Sequence, residues 1–156
     1  MSEGRPNTPS VAERTRPVAT GGPVIAIHFI GDRAAFILAE EAAMLVGPDG
    51  GLPQRVALHP GGILCSAGDR TRIVTGGDDG KVVEIDAAGA TREVFAEPKK
   101  KWIDQIALGP DGAIGWSAGK TVFVTAKKGE TKQLELPSSA GGLAFAPKGF
   151  RLAIAH

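Results

Sequence analysis

The stretch TGGDDGKVVEID, Thr75 to Asp86, sets a glycine-rich acidic turn between two short apolar runs, RIVTG at 72–76 and KVVEI at 81–85. Each run is brief, rich in β-branched residues and bounded by Gly or Asp, the pattern of two strands joined by a tight turn. Neighbouring side chains such as Asp78 and Asp79 point in different directions, so the pair reads as turn formers and not as an acid–base couple.

Working outward, the same pattern returns along the chain. Pro23, Pro60, Pro98 and Pro137 are 37, 38 and 39 residues apart, and Gly50, Gly89 and Gly129 are 39 and 40 apart, giving a period of about 39. Within each period lie four apolar runs. The first unit reads VIAIHF, AAFILA, AAMLV and PQRVAL; the second GILCSA, RIVTG, KVVEI and TREVFA; the third WIDQIAL, AIGWSA, TVFVT and TKQLEL. GLAFAP and RLAIAH then supply two runs of a fourth. Helix propensity favours Ala34 to Val46, but the counterparts at 71–85 and 113–124 are β-branched, so position in the repeat assigns strands there. The expected organisation is a disordered tail over 1–22, units at 23–59, 60–97 and 98–136, and an incomplete unit at 137–156. Four short strands in a period near 40 describe the blade of an all-β propeller.

The second unit resembles the WD-repeat propellers: a Thr with Gly, an acidic turn, alternating apolar residues, then a bulky residue followed by Asp. Ile85 stands where that family prefers Trp, and GPDG at Gly109 to Gly112 is similar to its Pro-Asp-Gly turn. The resemblance implies a partial WD-repeat-like propeller of four-stranded antiparallel blades. It also implies a stiffening hydrogen-bonded set in the second blade, with His59, Thr75 and Asp79 at three positions and Ile85 contributing by packing alone. Units one and three depart further from the motif and are expected to depend on apolar packing. Fourteen strands fall short of a closed ring, since seven blades at this period need roughly 270 residues. The expectation is therefore that His156 ends a fragment inside a strand, or that two copies close one ring as a homodimer.

Composition narrows the function. The 156 residues are 42% hydrophobic and 22% charged, with 22 Gly, 11 Pro and a net charge of +1, which suits a globular domain and removes the bulk attraction a nucleic acid requires. No run approaches the roughly 18 apolar residues of a membrane span, and the first 22 residues lack a signal's apolar core, so a soluble cytoplasmic protein is expected. His28, His59 and His156 lie in different units without metal-ligand spacing, and Cys65, the single cysteine, reads as a small core residue. No glycine pair leads into a phosphate loop, so no cofactor is expected. What remains is a surface. In WD-repeat propellers the connections between blades share a rim with the turns between second and third strands, and by that resemblance His59, Asp78, Asp79, Lys100, Lys101, Trp102 and Lys120 line one partner-binding face. The expected function is a non-enzymatic scaffold for a protein or peptide, with a propeller hydrolase or lactonase as the alternative.

Overall fold

The computed structural model describes residues 10–126 and 129–156. Four antiparallel sheets follow one another along the chain, each built from consecutive strands. The first holds β1 (Val24–Ile30), β2 (Arg33–Leu38), β3 (Ala42–Val46) and β4 (Gln54–Ala57), and the second holds β5 (Ile63–Gly68), β6 (Arg72–Gly77), β7 (Lys81–Asp86) and β8 (Thr91–Ala96). The third comprises β9 (Gln105–Leu108), β10 (Ile114–Ala118), β11 (Thr121–Thr125) and β12 (Lys132–Glu135), and the fourth pairs β13 (Gly142–Phe145) with β14 (Leu152–Ala155). All fourteen strands expected from the repeat are present, and the all-β class with four-stranded antiparallel sheets stands. The helix-prone segment at 34–46 becomes the β2–β3 hairpin, with Ala34 opposite Val46 and Ile37 opposite Ala43.

First strands of successive sheets lie together, β1 with β5, β5 with β9 and β9 with β13, so the sheets stack face to face. Alternation then sorts each strand between two neighbours. In β6 and β7, Ile73, Val83 and Ile85 enter an aliphatic cluster with Ile37, Leu45 and Ile63 of the adjoining strands, whereas Val74 and Val82 enter a second cluster around Trp116. That second cluster is aromatic: Phe95 lies 5.0 Å from Trp116 and 4.9 Å from Phe123, and Trp116 stacks on Phe123 at 5.6 Å. Gly76 admits this packing, because a Cβ there would run into Ile103 and Cys65.

Two expectations need correction. WIDQIAL does not form one strand: β9 begins at Gln105, because the Ile103 amide donates to Gly77 O at 3.1 Å and leaves Trp102 outside the ladder. Nor is the whole of 1–22 without structure. Residues 1–9 lie outside the described residues, but Ser10 and Glu13 form a reciprocal cap on a 3-10 turn over Val11–Arg14. Beyond it the Arg16 guanidinium lies against Gly50 of the first sheet.

Candidate functional site

In the second and third sheets the turn between second and third strands meets the connections that enter or leave the sheet. In the second sheet Asp78 N donates to Gly62 O at 2.9 Å, Glu97 N donates to Gly80 O at 2.8 Å, and the Asp78 carboxylate abuts Gly61. Gly80, at φ +79°, is packed so tightly that a Cβ would lie 2.8 Å from the Lys100 Cα, so the acidic turn and the lysine run touch through their backbones. The third sheet repeats the arrangement, with Leu136 N donating to Lys120 O at 2.8 Å and Ala140 N to Gly119 O at 3.1 Å. His59, Asp78, Asp79, Lys100, Lys101 and Trp102 are thereby gathered on one rim, and Lys120 occupies the corresponding place one sheet further on.

Within the rim, the charges separate by depth. His59 is buried, with Nδ1 3.0 Å from Asp79 Oδ1 and Nε2 2.8 Å from Thr75 Oγ1. A carboxylate only accepts, so Nδ1–H donates to Asp79, while the Thr75 hydroxyl paired with Nε2 also lies 3.3 Å from Val83 O. Asp79 Oδ1 also accepts the Lys81 amide at 3.0 Å, whereas its Oδ2 is buried without a hydrogen-bond partner. Ile85 lies away from this set, fully buried opposite Ile73 in the aliphatic cluster, and contributes only packing. Glu97 Oε2 accepts the amides of Lys99 and Lys101 at 2.7 and 2.9 Å, bending the run so that Lys100 adopts φ +51°. The Asp79 and Glu97 carboxylates are thus engaged by His59 and by backbone amides, whereas half-buried Asp78 accepts no side-chain hydrogen bond among the described residues; Lys100 and Lys101 are exposed and free of ion pairs among the described residues, beside a Trp102 that is 64% exposed.

Other sequence candidates fall elsewhere. His28 on β1 is half-buried, with Nε2 2.9 Å from Ser66 Oγ on β5, and desolvation lowers its pKa below the ordinary 6.5. Cys65 donates to Ile103 O at 3.3 Å, and burial, with a smaller contribution from the Asp104 charge, pushes the thiol up to about 12. That removes thiolate chemistry near neutral pH. No cluster of three metal-ligating side chains occurs among the described residues.

Sequence reasoning missed a polar pair in the third sheet. Asp104 Oδ1 accepts the hydroxyl of buried Ser117 at 2.6 Å, linking the incoming connection to the second strand as His59 links to Thr75 one sheet earlier. Unit three therefore does not depend on apolar packing alone. The signal was Ser117 at the fourth position of its strand, as Thr75 is of β6.

No protein-family model matches the chain, and no curated protein matches it. Solved structures do. A virginiamycin B lyase from Staphylococcus aureus is similar at TM-score 0.69 and 15% identity, over 88% of this chain and 50% of that one. The WD40 domain of Neurospora crassa Pan2 is similar at TM-score 0.66 and 15% identity, over 86% and 44%. The mitotic checkpoint complex contains a chain similar at TM-score 0.63 and 15% identity, over 80% and 43%. The chain spans about half the length of these proteins, and at such identity the likeness carries the fold alone. Four stacked antiparallel sheets with these neighbours make the described chain an open arc of a β-propeller.

Proposed function

We propose that the protein is a cytoplasmic, non-enzymatic interaction scaffold of the WD-repeat type, whose rim at His59, Asp78–Asp79, Lys100–Trp102 and Lys120 binds an acidic segment of a partner protein. The observation that carries this reading is the division of charge on that rim. The carboxylates of Asp79 and Glu97 are engaged inward by His59 and by backbone amides, leaving exposed ammonium groups and an exposed indole. Such a surface attracts carboxylates and offers a flat apolar anchor. The buried His59–Thr75–Asp79 set supports the WD-repeat assignment. The lyase neighbours carry no argument for catalysis here, because at 15% identity they share only the fold.

An array of immobilised acidic and neutral peptides, probed with the purified chain, tests the reading. Retention on acidic peptides that falls at least tenfold in a Lys100→Glu, Lys101→Glu variant supports it. Retention that is absent, or indifferent to peptide charge, overturns it.

A further inference from the structure

One turn is built twice in the second unit. After β7, Asp86 Oδ1 accepts the amides of Ala88 and Ala90, each at 2.9 Å, and Asp86 O accepts the Gly89 amide at 3.0 Å. After β8, Glu97 Oε2 accepts the amides of Lys99 and Lys101 at 2.7 and 2.9 Å, and Glu97 O accepts the Lys100 amide at 3.0 Å. In both, an acid at the close of a strand gathers the amides two, three and four residues ahead, and the middle one of these residues has positive φ. Successive amides turned toward one anion form a backbone nest, and here the anion is the chain's own carboxylate.

The two turns differ at the residue that carries the strain. Gly89, at φ +88°, adopts left-handed backbone at little cost, whereas Lys100 holds φ +51° with a Cβ in place. Neither Lys99 nor Lys101 shares that conformation. The Lys100 side chain is exposed and makes no ion pair among the described residues, so no charge contact on the chain offsets the strain. Glycine at that position would make the same turn without it. Strain kept where glycine would serve points to a side chain held for use. The holding comes from Glu97: its charge-assisted bonds to the amides on either side fix Lys100, Pro98 sets φ inside the turn, and the Ile103 amide, donating to Gly77 O, ties the far end.

We infer that Lys100 is the residue of the rim that selects the carboxylates of an acidic segment, and that Glu97 is its positioning residue, acting through the Lys99 and Lys101 amides. This rests on the proposed binding of an acidic segment at the rim. Charge count alone makes the opposite prediction for Glu97: removing a carboxylate from a basic site strengthens capture of an acid, whereas releasing a positioned lysine weakens it.

Retention on the immobilised acidic peptides, measured beside urea denaturation, tests it. Lys100→Gly should lower retention by about tenfold or more while its denaturation midpoint stays at or above that of wild type, because the turn survives and the strain goes. Lys99→Ala, which removes the same charge one residue away, should lower retention by less than about threefold. Glu97→Ala should lower it despite the lost negative charge, and Glu97→Gln, whose amide oxygen can accept the same two bonds, should restore it. A wild-type chain that acidic peptides do not retain overturns the proposed function and this inference together. With wild-type retention intact, a loss in Lys100→Gly no greater than in Lys99→Ala, a lowered midpoint in Lys100→Gly, or tighter retention by Glu97→Ala overturns this inference alone.

Discussion

The contact between the first and second sheets differs from that between the third and fourth. The former is an aliphatic cluster of eleven buried residues, including Ile30, Ile37, Leu45, Ile73 and Ile85 at 0% exposure. The latter has three buried residues, Val122, Leu136 and Ala140, against half-buried Leu143, Leu152 and Ile154. The better-buried pair of sheets is the one whose ladders carry register shifts, and the fourth sheet has only two strands, so the difference teaches that a sheet in this stack is buried by its neighbours and not by its own regularity. Units that touch a complete neighbour on both faces carry the stability, as expected of repeats coupled only to adjacent repeats.

The comparison is broken most severely at the middle of the stack. Trp116→Ala removes the largest fully buried side chain and should cost about 3–5 kcal/mol, read as a lowered midpoint in urea denaturation. Ile154→Ala, half-buried at the thin contact, should cost less than about 1.5 kcal/mol in the same assay; equal costs would remove the gradient. His59→Ala lies between them, at about 1–3 kcal/mol, because it empties a buried position and removes one of the two donors to Asp79 Oδ1, on a carboxylate whose Oδ2 already has none.

The smallest effect is pH-dependent. Burial lowers the His28 pKa in the folded chain, so the unfolded state binds the extra proton more readily. The stability contributed by neutral His28 is present above the unfolded pKa, near 6.5, and is lost as pH falls below it. Denaturation of a His28→Gln variant at pH 7 and pH 5 should show a smaller loss on acidification than wild type.

The sequence made the sheets legible and their contacts largely illegible. Gly-rich turns and alternating apolar residues act within a few positions, which is why RIVTG, KVVEI and even the helix-prone AAFILA were readable as strands. The Asp104–Ser117 bond joins residues 13 apart, and the Arg33–Ala87 contact joins residues 54 apart across two sheets. Such contacts exist only once the stack has assembled, and no local pattern announces them. The rim lies between these cases: the family resemblance gathered its residues, but the inward turn of Glu97, which leaves the lysines free, followed from hydrogen bonds to two backbone amides.

The backbone contact between Gly80 and Lys100 has a consequence for recognition. Together with the Glu97 clamp, it holds the lysine run in one conformation before any ligand arrives. A flexible basic loop would surrender conformational entropy on capture, whereas under the proposed function this one would meet an acidic ligand as a preformed template, so more of the contact energy would remain as affinity. The glycine in the neighbouring turn would then tune binding without touching the ligand.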